Sequence, residues 1–165
     1  MKGRLPVRPT TDFARQALFN ILQNHFDFSS LYVLDLYSGT GSIGFEFLSR
    51  GSYRVIMVDK NRRCSEAIRS NLTAFNCPEG EVYCRDAIAF LEQSVGSFDI
   101  IFADPPYDNK LVTTIPSIVK ERKILKAGGW LIIEHASEIS FDGAAGFSKK
   151  RTYGKVNFSI FNEPS

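Results

Sequence analysis

A chain of 165 residues can form one domain with a substantial core but is too short for two ordinary ones. With 44% hydrophobic and 23% charged residues it reads as globular rather than disordered. No apolar run approaches the roughly 20 residues of a membrane span, and Met1-Lys2-Gly3-Arg4 does not open a signal core, so a cytoplasmic protein without a membrane partner is expected. The net charge of +2 does not by itself announce a nucleic-acid binder.

The charges are unevenly spread: Lys2, Arg4 and Arg8 precede the first acidic residue, and Lys149-Lys150-Arg151 with Lys155 lies near the other end. Residues 10–25 read as a helix that Thr10 or Thr11 can cap, with Ala14, Ala17, Leu18, Ile21 and Leu22 on one face. Short apolar runs at 31–36, 53–58, 81–84, 98–103 and 130–134 then alternate with helical stretches at 42–50, 62–75, 87–95 and 109–123. That rhythm predicts a mostly parallel sheet covered on both faces. Residues 147–153 and 156–161, around Gly154-Lys155, predict a terminal hairpin and one antiparallel strand at or near the sheet edge. No repeat or linker divides the chain, so 1–165 reads as a single domain. Cys64, Cys77 and Cys84 form no Cys-x-x-Cys pair, and His25 and His135 lie far apart, so no metal site is expected.

The first apolar run leads into Asp35-Leu36-Tyr37-Ser38-Gly39-Thr40-Gly41-Ser42-Ile43-Gly44. The three glycines match G-x-G-x-x-G, and Asp59 ends the second strand, which suits a nicotinamide dinucleotide as well as other nucleoside cofactors. Asp35 favours S-adenosylmethionine. A carboxylate here would repel a pyrophosphate but could hold the ammonium of a methionine moiety, although Asp35 could also serve as a loop cap. Asp86, after the third strand, could accept from an adenine amino group, cap the next helix, or do both.

Asp104-Pro105-Pro106-Tyr107 follows the fourth strand at the same edge. Two prolines make a rigid turn. An exocyclic amine of a base is a poor nucleophile, because its lone pair is delocalised into the ring. Two acceptors in the base plane, the Asp104 carboxylate and the Pro105 carbonyl, can bind its N–H groups and free that lone pair. Tyr107 can stack on the base, and Asp104 can take the released proton. A target base within folded RNA must be turned out to reach such a pocket.

Together the two motifs resemble a class I S-adenosylmethionine-dependent methyltransferase. The segment Arg8-Pro9-Thr10-Thr11-Asp12-Phe13-Ala14-Arg15-Gln16-Ala17-Leu18-Phe19-Asn20-Ile21-Leu22 is similar to the signature helix of the RsmD family, bacterial 16S ribosomal RNA guanine-N2 methyltransferases. The glycine-loop segment, Ser49-Arg50-Gly51 and Asp104-Pro105-Pro106-Tyr107 resemble that family's later motifs in the same order. The resemblance implies an α/β, Rossmann-like fold with a mostly parallel seven-stranded sheet, a terminal antiparallel hairpin and helices on both faces. It implies S-adenosylmethionine as methyl donor and the N2 amino group of a small-subunit guanine as acceptor. Asp35, Gly39, Gly41, Asp59 and Asp86, with their neighbours Tyr37, Ser38, Thr40, Lys60 and Ala87, make up the expected cofactor site. Asp104, Pro105, Pro106 and Tyr107 are the expected catalytic pocket, and Arg4, Arg8, Thr10 and Arg15 the expected RNA contacts. Residues 1–9 read as a shortened form of a basic family extension. The expected partner is ribosomal RNA within an assembled or assembling small subunit, with the enzyme acting as a monomer.

Three other readings compete. An N6-adenine methyltransferase could use the same Asp-Pro-Pro-Tyr chemistry, but the chain offers no separate target-recognition domain. A nicotinamide-dependent oxidoreductase rests only on the glycine spacing and Asp59. A non-enzymatic RNA-binding module would keep the basic ends and have no use for Asp104.

Overall fold

The computed structural model describes residues 11–165. Its first helix, α1 (Asp12–Gln23), begins where Thr11 accepts a hydrogen bond from the Ala14 amide at 3.2 Å, so Thr11 supplies the cap. The other candidate cap, Thr10, lies outside the described residues. Ala14, Leu18 and Leu22 are buried, as the helical spacing predicts; Phe19 joins them, while Ala17 and Ile21 at the margins of the stripe are half-buried.

The remaining elements are β1 (Tyr32–Leu36), α2 (Ser42–Ser49), β2 (Arg54–Val58), α3 (Arg62–Ala74), β3 (Gly80–Tyr83), α4 (Ala87–Gln93), β4 (Phe98–Ala103), α5 (Ile115–Arg122), β5 (Leu125–His135), β6 (Phe147–Tyr153) and β7 (Val156–Asn162). The strands form one seven-stranded sheet in the order β3-β2-β1-β4-β5-β7-β6. Strands β1 to β5 pair in parallel, while β7 runs antiparallel to both β5 and β6. The expected hairpin is present, and its return strand is inserted between β5 and β6 rather than added at the rim.

Alternation along the strands divides the core into two faces. On one, α1, α2 and α3 bring Phe19, Phe47 and Ile68 against Val33, Met57, Phe102, Ile132 and Phe158. On the other, α4 and α5 bring Leu91, Ile115 and Val119 against Leu36, Val58, Ala103 and Ile133.

Two expected elements differ in extent. The run at 130–134 is the second half of β5, which starts at Leu125. Between them Phe98 pairs with Leu125 and Ile100 with Trp130, so the chain bulges through Gly128 (φ 76°) and Gly129. A Gly-Gly bulge without apolar side chains carries no strand signal. The helix expected over 109–123 is a 3-10 turn (Lys110–Thr114) followed by α5. Asn109 caps that turn, and Pro116 sits in the first turn of α5, where its missing N–H costs nothing.

Phe19 is fully buried, edge-on to Phe47 at 4.7 Å between centroids, with the Arg50 guanidinium 4.9 Å above its ring. Replacing Phe19 by Ala should destabilise the fold by about 3–5 kcal/mol. Urea unfolding would check this, and a loss below about 1 kcal/mol would mean that α1 is not part of the cooperative core.

Candidate active site

The strand register brings the chemistry to one edge. Tyr83, Val58, Leu36, Ala103 and Ile133 lie in one row across β3, β2, β1, β4 and β5. The residues that follow four of them are Asp59, Tyr37, Asp104 and Glu134. All stand at the carboxyl ends of parallel strands, where open α/β sheets bind ligands.

Asp35 lies one residue behind this row and is 1% exposed. Its Oδ2 accepts from the Gly44 amide at 3.1 Å, tying the first turn of α2 to β1. The cap role that the sequence left open is therefore real. Burial pushes the Asp35 carboxyl up to about 8, against the opposing pull of the Gly44 hydrogen bond. A side chain at position 44 would have its Cβ 2.4 Å from the Met57 sulfur and 3.2 Å from Asp35 Oδ2, so the approach of helix to strand needs a glycine there. Gly41, at φ 81°, opens α2 without a side-chain cap, which leaves backbone N–H groups at the helix start for an anionic group.

The loop between β1 and α2 is closed by Ser38. Its hydroxyl donates to the Asp35 carbonyl at 2.7 Å and accepts from the Val58 amide at 2.9 Å. Ser38 is thus a structural tie, with its hydroxyl committed inside the loop. Asp59 closes the other side: Oδ2 accepts from the Gly39 amide and Oδ1 from the Asn61 amide, both at 2.8 Å. Each carboxylate oxygen has a second lone pair, so these bonds leave acceptor capacity for ribose hydroxyls. Thr40 is half-buried in the same loop, and Lys60 is exposed beside Asp59.

Asp86 caps α4, accepting from Ala89 at 3.0 Å, and Ala87 is the buried first residue of that helix. Tyr37 adopts a left-handed backbone (φ 56°), uncommon for a residue with a side chain. Burial, and then the negative charge of Asp86, raise its phenol above the usual range. Its hydroxyl accepts from Asn109 Nδ2 at 3.4 Å, a long contact that joins the glycine loop to the segment after β4.

That segment holds the Asp-Pro-Pro-Tyr turn. The Asp104 amide reaches the Leu36 carbonyl at 3.4 Å, extending the pairing of β1 and β4 to the first residue of the motif. The Asn109 amide donates to the Pro106 carbonyl at 2.9 Å and closes the turn. Pro105 is buried and Asp104 half-buried, while Tyr107 is 52% exposed at the rim. The motif thus has a fixed base and an open aromatic lip.

Sequence reasoning passed over Glu134 and weighed His135 only as a metal ligand; both lie at the end of β5, 3% and 2% exposed. His135 Nε2 lies 2.6 Å from Ser159 Oγ and Nδ1 lies 2.8 Å from the Ala136 carbonyl, so Nδ1 donates and Nε2 accepts. Burial lowers its pKa, which keeps the ring neutral. The signal for Glu134 was available: like Asp35, Asp59 and Asp104, it is an acid at the carboxyl end of an apolar run.

Of the expected RNA contacts, Arg4, Arg8 and Thr10 lie outside the described residues. Arg15 is half-buried and paired with Asp12 at 2.9 Å. Beside it, exposed Phe13 meets Tyr153 edge-on at 6.0 Å, so the start of α1 adjoins the turn between β6 and β7. Lys150 and Arg151 are exposed on β6.

The family model described as "Conserved hypothetical protein 95" matches residues 3–162. The chain belongs to this family. YlbH of Bacillus subtilis is 31% identical over 95% of this chain and 88% of its own length. "Ribosomal RNA small subunit methyltransferase D" of Haemophilus influenzae is 28% identical over 94% of this chain and 82% of its own. The resemblance to the RsmD family drawn from the motifs is thereby borne out. Among solved structures, the yhhF protein of Escherichia coli superposes with a TM-score of 0.85 at 24% identity, covering 98% of this chain and 91% of that one. The T. thermophilus 16S rRNA N2 methyltransferase RsmC, solved with AdoMet and guanosine, shares the fold at a TM-score of 0.77 and 17% identity, over 96% of this chain and 45% of that one. The fold is that of the class I methyltransferases, as expected.

Asp35 makes stability depend on pH. Its folded pKa is raised above the unfolded value near 3.9, so its contribution is fully present below about pH 4 and is lost as pH rises through about 8. Asp35→Asn can still accept from Gly44 and carries no such cost. Between pH 5 and 8 the unliganded wild type should lose stability relative to Asp35→Asn, by an amount on the order of a few kcal/mol. Parallel pH profiles of thermal unfolding would show this as a crossing or widening gap, and matching slopes would refute it.

Proposed function

We propose that the protein transfers a methyl group from S-adenosylmethionine to the exocyclic N2 amino group of a guanine in small-subunit ribosomal RNA. One observation carries the reading: the parallel register aligns the Asp35 glycine loop, Asp59 and the Asp104-Pro105-Pro106-Tyr107 turn along a single sheet edge. The relatives named as small-subunit ribosomal RNA methyltransferases support the substrate class. The sheet order does not suit the oxidoreductase alternative, since the dinucleotide-binding order 3-2-1-4-5-6 has no antiparallel strand between its last two members.

The residues present fit the cofactor. Asp35 is a buried carboxylate placed to hold an ammonium, and a cation there would offset the desolvation that raises its pKa. The uncapped start of α2 suits the methionine carboxylate. Asp59 retains lone pairs for ribose hydroxyls, and Asp86 has one oxygen beyond its Ala89 bond for the adenine amino group. When bound, S-adenosylmethionine supplies an electrophilic methyl group on a sulfonium.

The protein's own part is orientation. Asp104 and the Pro105 carbonyl accept the N–H bonds of the target amine in the base plane and leave its lone pair free. Tyr107, at the open rim, stacks on a base turned out of the RNA. Asp104 receives the proton that the amine loses. Positioning and electrostatics thus carry the rate enhancement, with no covalent enzyme intermediate. Outside the pocket, Arg15, Phe13 and Tyr153 with Arg151 offer cations and aromatic faces to the phosphates and bases around the target.

The test is transfer of labelled methyl to small subunits from cells lacking this enzyme, with nucleoside analysis. The expected product is N2-methylguanosine, and label in N6-methyladenosine would overturn the substrate while sparing the chemistry. Asp104→Ala should lower transfer at least about 1,000-fold with S-adenosylhomocysteine binding within about threefold of wild type. Transfer at the wild-type rate would remove Asp104 from the mechanism. Asp35→Ala should weaken S-adenosylhomocysteine binding about 10- to 100-fold, and calorimetry giving an unchanged Kd would dismiss its ammonium contact.

A further inference from the structure

Glu134 is a carboxylic acid buried to 3% exposure at the end of β5. Its place in the register sets its neighbours. Phe102 pairs with Ile132 and Ala103 with Ile133, so Asp104 and Glu134 follow side by side on neighbouring strands about 4.8 Å apart. Alternation puts Glu134 on the same face as Trp130 and Ile132, and Asp104 on the same face as Phe102, which is the face that carries α1. The two carboxyl groups are therefore neighbours on one side of the sheet, at the same edge. Across β7, Glu134 is opposite Phe158, whose ring adjoins Phe102 and Tyr153. An apolar wall thus flanks the pair.

We infer that Glu134 reads the N1–H of the target guanine beside the amine that Asp104 holds, and so sets the choice of guanine over adenine. This rests on the guanine reading above. The Watson–Crick edge of guanine presents two adjacent donors, N1–H and the N2 amino group. Two acceptors side by side at the pocket wall match that pair. Adenine presents an amine beside a bare N1 lone pair, which would face a carboxylate with no proton between them. A buried acceptor left against a lone pair rejects the wrong base more strongly than a lost contact alone. The Asp-Pro-Pro-Tyr turn suits any planar exocyclic amine, so discrimination comes from a neighbouring group, and Glu134 is such a neighbour, one strand away on that face.

The experiment compares small subunits carrying either guanine or 2-aminopurine at the nucleotide that the labelling assay identifies. 2-Aminopurine keeps the 2-amino group but has no N1–H. Wild-type kcat/KM should favour guanine by about 100-fold or more. Glu134→Gln, whose amide can donate to a bare N1, should lose about 10- to 100-fold on guanine and shrink the guanine preference at least about tenfold. Its S-adenosylhomocysteine affinity should stay within about twofold of wild type, the sign of an intact fold. An undiminished preference in a folded Glu134→Gln overturns the inference. So does a wild type that methylates both bases equally, a result that needs no variant. A wild type that labels adenine and no guanine overturns the guanine reading itself, a failure distinct from these two.

Discussion

The contact between the Asp35 carboxylate and the Gly44 amide fixes where everything else at the site can be. It joins the strand before the glycine loop to the helix after it, so the eight intervening residues form a closed loop pinned by a 3.1 Å hydrogen bond. Ser38 and Asp59 then stitch that loop to the end of β2. The chain keeps a carboxyl group in a place where burial penalises its charge, and it gives up a side chain at position 44 to do so. Such an arrangement is costly in an empty pocket and becomes favourable when a cation arrives. The loop is therefore shaped by its own hydrogen bonds, with no ligand needed to order it.

From that loop the geometry is passed along the sheet by backbone pairing alone. Parallel strands in register put the residue after each strand at the same height. Tyr37 has to turn out of β1 with a left-handed backbone to leave this row, and its hydroxyl meets Asn109 from the far side of the Asp-Pro-Pro-Tyr turn. The glycine loop and the Asp-Pro-Pro-Tyr turn thus share one wall. Differences in loop sequence can alter what each binds without changing the distance between them.

Much of this was legible in the sequence because acids at the ends of apolar runs have few reasons to be there. Asp35 and Asp104 stand out through the glycine loop and the Asp-Pro-Pro-Tyr turn they introduce, and Asp59 through its place at the end of the second run, while the alternation of runs gives the parallel sheet and the hairpin. Glu134 carried the same signal and was passed over because no recognisable motif surrounds it. The cap role of Asp86 could be framed but not decided without the Ala89 distance. Other features were not readable at all. The Gly128–Gly129 bulge hides half of β5, the 3-10 turn before Pro116 keeps helical spacing without an α-helix, and the committed hydroxyl of Ser38 depends on a contact with Val58 twenty residues away. These are tertiary facts, set by pairings that local composition does not encode.

The insertion of β7 between β5 and β6 has a consequence for the sheet's free margins. It makes β6 the outer strand on that side, and β6 carries Lys149, Lys150 and Arg151 in succession. At the opposite margin β3 is only four residues long and includes Glu81. An open strand edge invites pairing with another chain, and consecutive cations or a very short strand discourage it. These lysines and the arginine thus guard the sheet against edge-to-edge aggregation. Neutralising them would remove that guard, so the behaviour of such variants has to be read beside their tendency to self-associate.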